Sequence, residues 1–163
     1  NVDAVSWFAD QAFPRIRERV PDALFCIVGM RPTPQVSKLA ERPGIIVTGS
    51  VPDVRPYLAH AHAAVLPLRI ARGIQNKVLE AMSMQRPVIA TPGAMTGIQP
   101  FAGFEPTISE DADTLIEAAV DLLSQTRTVA AAGRECVLQR YNWDANLQRI
   151  ERLLESGQIE ADL

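Results

Sequence analysis

The chain has two cysteines and two histidines in 163 residues, and neither pair builds a recognisable framework. Cys26 and Cys136 form neither a disulfide scaffold nor a metal-ligand spacing. Cys26, inside the apolar run 23–28, reads as a small core residue. His60 and His62 stand two apart, so a helix aims them at different faces, and no third ligand is in view. No cluster of Asp, His or Cys has ligand spacing, so neither a protein-held metal nor another cofactor is expected. No apolar stretch approaches the length that crosses a bilayer. No basic segment ahead of an apolar one opens the chain, and the expected setting is cytoplasmic, with the inner face of the membrane left open as a place of work. A net charge of −3 gives no general reason to expect nucleic-acid binding. No G-x-G-x-x-G follows a strand-like run, and Gly29-Met30-Arg31-Pro32 cannot serve, which weakens a dinucleotide-binding oxidoreductase reading. Internal repeats and low-complexity segments are absent too.

What is present is an ordinary globular composition, 47% apolar and 21% charged, with enough chain for one domain and a real core. Helical and strand-like pieces alternate. Val5, Phe8, Ala12, Ile16 and Val20 keep near-helical spacing over 3–19. Strands are expected at 24–28, 45–47, 63–66 and 87–90, with a weak one near 106–108. Helices are expected at 33–41, from Asp53 as cap to 61, and at 75–85, 111–124, 127–140 and 143–156. Short apolar strands between helices indicate a Rossmann-like α/β fold, a doubly wound, mostly parallel sheet covered on both faces. Such sheets bind ligands outside the carboxyl ends of their strands. The turns at 29–34, 49–53, 67–74 and 91–98 gather Gly29, Gly49, Gly73 and Gly93 on that rim, either to admit a ligand or as plain turn residues. The chain opens in a helix with no strand before it, whereas the first strand of such a sheet is usually central. The expectation is a piece of a longer protein, and open sheet edges would then favour dimerisation or strand exchange.

The richest segment is Arg69-Ile70-Ala71-Arg72-Gly73-Ile74-Gln75-Asn76-Lys77-Val78-Leu79-Glu80-Ala81-Met82. An apolar strand hands over to a basic, glycine-containing turn, and a helix opens near Gln75. A helix N-terminus offers unpaired N–H groups and partial positive charge, a natural seat for phosphate. Arg69, Arg72 and Lys77 add charge there. Val78, Leu79 and Met82 share the face toward the sheet, while Asn76, Lys77 and Glu80 lie opposite. Glu80 sits roughly 7 Å along the axis and its side chain leans back toward the helix start. A diphosphate at the N-terminus would leave its ribose beside that carboxylate.

The block from Pro67-Leu68-Arg69 through Glu80-Ala81-Met82, followed by Arg86-Pro87-Val88-Ile89-Ala90-Thr91, resembles the donor-site signature of nucleotide-sugar glycosyltransferases of family 4, the group 1 glycosyl transferases. Further matches are Ile27-Val28-Gly29, Val47-Thr48-Gly49-Ser50-Val51 and Tyr141-Asn142-Trp143. The likeness is to their C-terminal, donor-binding domain in the two-domain GT-B architecture, and most of all to transferases of bacterial exopolysaccharide systems. It implies transfer of a hexose from a nucleoside diphosphate sugar to a glycan or lipid-linked acceptor, with retention at the anomeric carbon. It assigns Glu80 to the ribose hydroxyls and the Val51 turn to the base. Gly29, Arg69, Gly73, Gln75 and Asn76 complete the implied donor site. The family has a second glutamate eight positions earlier, where this chain has Arg72. That exchange removes a carboxylate near the transferred sugar and puts a cation there. Negative charge grows on the leaving phosphate oxygen, and Arg72 and Lys77 are placed to stabilise it without a metal. Without its N-terminal partner domain the chain is expected to bind nucleotide weakly and to transfer no sugar.

Plainer readings stand beside these. Lys77 and Glu80 can be a solvated ion pair three apart on a helix, and Arg69 can be a salt bridge at the rim. Arg15, Arg17 and Arg19 read as a solvated helix face. Trp143 reads as a packing anchor behind a cap at Asn142. The competing function is a non-catalytic α/β module that keeps the fold for protein contacts.

Overall fold

The computed structural model describes residues 2–70, 73–99, 101–126, 128–142, 147–148, 150–152 and 154. Among the described residues five short strands form two parallel sheets. β1 (Phe25–Val28) pairs with β2 (Ile45–Gly49), Phe25 opposite Ile45. β3 (Ala64–Leu66), β4 (Val88–Ala90) and β5 (Thr107–Ile108) follow in that order, with Val65 opposite Ile89 and Ala90 opposite Ile108. The three residues of β4 are all buried, as the middle strand of a covered parallel sheet must be.

The opening helical stretch is α1 (Val2–Trp7), a π-helical segment at Phe8–Ala12, then α2 (Phe13–Arg19). Apolar spacing predicts one helix there, and Pro14 explains the interruption. It has no N–H to donate four residues back and its ring crowds that carbonyl, so the ladder widens in the turn ahead of it. The widened turn keeps Phe8, Ala9 and Ala12 buried. Phe8 and Phe13 then meet the Phe25 ring at 4.9 and 5.6 Å between centroids.

α3 (Pro34–Lys38) is capped by Thr33 and runs into a 3-10 turn at Leu39–Glu41. α4 (Arg55–His60) starts one residue later than an Asp53 cap requires; Asp53 still accepts the Arg55 N–H at 2.9 Å. α5 (Asn76–Ser83) follows β3, and α6 (Ala112–Ser124) is capped by Asp111. α7 (Ala131–Arg140) begins after the expected 127, because the Ala130 N–H goes to the Gln85 carbonyl instead of into a helix. The described residues between 147 and 154 are helical, whereas Trp143 lies outside the described residues.

Two apolar clusters pack on the strands, one on β1, β2 and β4 and the other on the opposite face of β3 and β4. Phe8, Phe13, Ile16, Leu115 and Ile116, from the opening helices and α6, pack on Phe25, Ile45 and Ile89. On the other face of β3 and β4, Val78 and Met82 of α5 and Cys136 of α7 pack on Leu66, Val88 and Ala90. α7 lies so close that a Cβ on Gly133 would stand 3.1 Å from the Phe104 ring. Among the described residues no helix is long and apolar enough to cross a membrane.

Two expectations change. Cys26 is exposed, not core, because its face of β1 is uncovered; Leu24 and Ile46 beside it are 66% and 44% exposed. The basic row on α2 is tied down: Arg15 pairs with Asp113, Arg19 with Glu117, and Arg17 donates to the Pro21 carbonyl. Arginines expected to be merely solvated thus clip α2 onto α6.

Candidate functional site

The carboxyl ends of β3 and β4 are bound to each other through the turns that leave them. The Thr91 N–H donates to the Leu66 carbonyl at 3.2 Å, and its hydroxyl donates to the Leu68 carbonyl at 2.6 Å. Thr91 is 2% exposed, so these bonds are shielded from water. Gly93 is needed for the contact: a Cβ there would lie 2.7 Å from the Leu68 oxygen. The 91–95 turn therefore lies directly on the chain leaving β3 and holds it.

Gly73 has φ +66 and nothing within 4 Å of where a Cβ would stand, so conformation rather than crowding calls for glycine. Gln75 follows in the cap position of α5, but its side-chain amide donates to the Gly73 carbonyl at 3.1 Å and leaves the helix without a side-chain cap. The N–H groups of Val78 and Leu79 both return to the Gln75 carbonyl, at 2.9 and 3.4 Å. Those of Asn76 and Lys77, at the very start, have no helical acceptor before them. Val78, Ala81 and Met82 are buried, and Asn76, Lys77 and Glu80 are exposed on the outer side, as the spacing predicts.

Arg69 is engaged. Its Nε donates to Asp3 Oδ2 at 3.0 Å and its Nη2 to Oδ1, a two-point pair joining the turn after β3 to the first turn of α1. The Arg69 hydrogen bond holds the Asp3 carboxyl below the usual carboxylate range. The rim salt bridge expected as the plainer reading of Arg69 is present in the structure. Arg72 lies outside the described residues. Gly29 follows β1 and half-buried Val51 follows β2, so both stand at the carboxyl edge of the other sheet, separate from the α5 group. His60 donates from Nδ1 to the Pro56 carbonyl at 2.7 Å. Among the described residues no three His, Cys, Asp or Glu side chains gather as a metal site.

Trp7, Arg69, Thr91 and Glu110 line a cavity of about 330 Å³ at the carboxyl ends of β3, β4 and β5. Sequence reasoning placed Thr91 in the signature block without a role of its own and passed over Trp7 and Glu110. The position of Thr91 in the 91–98 turn and of Glu110 just past β5 was the available signal. A larger cavity of about 480 Å³, lined by residues such as Pro87, Thr107, Asp121 and Val129, lies toward the amino end of β4, away from this rim.

Residues 1–125 match the family model described as glycosyl transferases group 1. The chain is 30% identical over 169 residues to a GDP-mannose-dependent alpha-(1-6)-phosphatidylinositol monomannoside mannosyltransferase of Mycolicibacterium smegmatis, covering 93% of this chain and 44% of the relative. Its fold superposes on S. aureus TarM, solved with UDP, alpha-GlcNAc-glycerol and Fondaparinux, with TM-score 0.70, 15% identity, and coverage of 94% of this chain and 33% of that one. It also superposes on Anabaena HepE, solved with UDP and glucose, with TM-score 0.64, 16% identity, and coverage of 90% and 45%. The chain thus spans less than half the length of each of these proteins. The α/β fold expected from the resemblance is the fold found, and the chain belongs to the group 1 glycosyl transferases.

Proposed function

We propose that the chain is the donor-binding half of a two-domain GT-B hexosyltransferase. It holds a nucleoside diphosphate sugar whose sugar passes to a glycan or lipid-linked acceptor on a second domain. One observation carries the reading: α5 opens without a side-chain cap at the carboxyl rim and presents Lys77 and Glu80 on its exposed face. The pyrophosphate takes the N–H groups of Asn76 and Lys77, and the ribose hydroxyls donate to Glu80. The bond between the anomeric carbon and the phosphate oxygen breaks, and its electron pair leaves with the phosphate. Lys77, Arg72 and the helix N-terminus stabilise that charge where it develops, with no metal required. The acceptor hydroxyl oxygen forms the new bond, its proton passes to the departing phosphate oxygen, and the anomeric configuration is retained.

Gly29 and Val51 lie at the exits of β1 and β2, where the base packs. The mannosyltransferase relative uses a GDP sugar and the solved neighbours hold UDP, so guanine and uracil are the bases to try first. The acceptor is a growing exopolysaccharide or its lipid-linked precursor, and the work is done in the cytoplasm at the inner face of the membrane. Membership of the glycosyl transferases weighs against a non-catalytic interaction module. Calorimetry with GDP, UDP and ADP tests the proposal. Weak binding of at least one and no sugar transfer by this chain alone are expected; no heat from any of them at millimolar ligand would contradict it.

A further inference from the structure

α7 is fastened to the finish of α5. Arg134 donates from Nη1 to the Ser83 carbonyl at 2.9 Å, and the Ala130 N–H donates to the Gln85 carbonyl at 3.0 Å. Ser83 is the last residue of α5, and Ala130 stands directly ahead of α7. Just inside that end the backbones touch: a Cβ on Gly133 would stand 3.4 Å from the Met82 Cα. The ten residues of α7 rise about 15 Å and the eight of α5 about 12 Å, so α7 is long enough to reach the other end of its neighbour.

At that other end α7 grips the turn leaving β4. Tyr141, directly after α7, donates its hydroxyl to the Gly97 carbonyl at 3.3 Å and accepts the Gln99 N–H at 3.1 Å. Its ring, like Ile98 and Phe101, packs against the cluster of Leu66, Val78 and Val88. The Arg140 guanidinium stands 5.1 Å over the Phe101 ring. The turn held in this way lies on the chain just ahead of α5. Gly97 has φ +78, and a Cβ there would lie 2.9 Å from Ile74 Cγ1 and 3.8 Å from the Ile74 nitrogen. Ile74 leads at once into Gln75, the cap position, and Asn76, the first residue of α5. Thr91 fixes the near end of the same turn through Leu66 and Leu68. α7 therefore runs antiparallel to α5 and braces it at both ends.

We propose that Tyr141 is a positioning residue for the donor site. Its hydroxyl sets the 97–99 turn, Gly97 sets Ile74, and Ile74 sets the angle at which the Asn76 and Lys77 N–H groups leave the helix start. Tyr141 itself touches no ligand. The inference rests on the donor-site reading of the α5 N-terminus. A hydroxyl that joins an acceptor and a donor two residues apart fixes how the turn is tilted, which ring packing alone does not. N–H groups hold a phosphate oxygen well only when they point at it, so a small tilt of the helix start weakens binding with no ligand contact removed.

Tyr141→Phe keeps the ring and its packing and removes the hydroxyl. Ser124→Ala is the control; its hydroxyl donates to the Val120 carbonyl at 2.7 Å within α6, on the opposite face of the sheet. Calorimetry with GDP and UDP should show Tyr141→Phe binding about three- to tenfold more weakly and Ser124→Ala binding as the parent does. In an Ile74→Ala background, where the relay is already cut, Tyr141→Phe should change affinity by less than about twofold. Amide spectra of the nucleotide-free protein supply the second arm: the Gly73–Lys77 resonances should move in Tyr141→Phe and stay in Ser124→Ala. Additive effects of Ile74→Ala and Tyr141→Phe on affinity, or Gly73–Lys77 amides unmoved without ligand, would overturn the inference. A parent protein that binds neither nucleotide would instead overturn the donor-site reading, and the nucleotide-free spectra would still decide whether Tyr141 sets the helix start.

Discussion

Asp3 and Arg69, 66 positions apart, form a two-point ion pair that joins the first turn of α1 to the turn leaving β3. The pair occupies the one rim arginine among the described donor-site candidates. A phosphate arriving at the α5 N-terminus must compete with Asp3 for that guanidinium or do without it.

Asp3→Asn is therefore expected to tighten nucleoside diphosphate binding a few-fold, and Arg69→Met to weaken it, both read by calorimetry at low salt, where such terms are least screened. The same pair sets a pH dependence. The Asp3 carboxyl is held low by Arg69, so its stabilising contribution is present above the unfolded-state pKa and lost as pH falls through the lowered folded value. In parent protein the acid limb of the stability curve should carry this loss; in Asp3→Asn it should not. Unchanged affinity in both variants would remove Arg69 from the donor site.

Glu80→Gln keeps shape and removes charge. Loss of a charge-assisted bond to ribose predicts a fall in affinity of about ten- to a hundredfold. Glu80 is exposed and its side chain makes no contact that supports the core, so the melting temperature should stay within about a degree of the parent. Equal affinities would show that this carboxylate does not touch the ligand.

Gly93→Ala tests the rigidity of the rim. Its Cβ would meet the Leu68 carbonyl at 2.7 Å, backbone against which nothing flexible can give. The expected cost is roughly 1–3 kcal/mol, seen as a drop of about 3–10 °C in the melting temperature. Nucleotide binding should weaken with it, because the displaced strand exit carries the 69–75 turn.

Arg86→Leu tests a buried guanidinium. Arg86 is 5% exposed and donates to the Met84 carbonyl at 3.1 Å and the Ala61 carbonyl at 3.3 Å, closing the ends of α5 and α4. Leucine fills the space but leaves those acceptors dry, at a cost of roughly 1–3 kcal/mol. Denaturant unfolding should show a lower midpoint at an unchanged slope.

Local signals made the β3–α5–β4 unit legible. The apolar runs 63–66 and 87–90, Gly73, and the period of Val78, Leu79 and Met82 are all short-range features, and the elements formed within about two residues of expectation. What escaped depends on distant partners. The clips from Arg15 and Arg19 end on residues 98 positions away, and nothing near the arginines announces them. The exposure of Cys26 follows from an uncovered face of β1, which an apolar run cannot reveal. Pro14 inside a helical pattern was a local signal for the π-helical turn. The Trp7–Thr91–Glu110 cavity needs three elements that only the fold brings together.

The central claim is tested most directly by following backbone amide resonances while GDP and UDP are titrated into the chain. Saturable shifts centred on Asn76 and Lys77, abolished for the ribose contact by Glu80→Gln, are the predicted result. Shifts centred on the opposite ends of the strands, around Pro87 and Val129, with Asn76 and Lys77 unmoved, would contradict it.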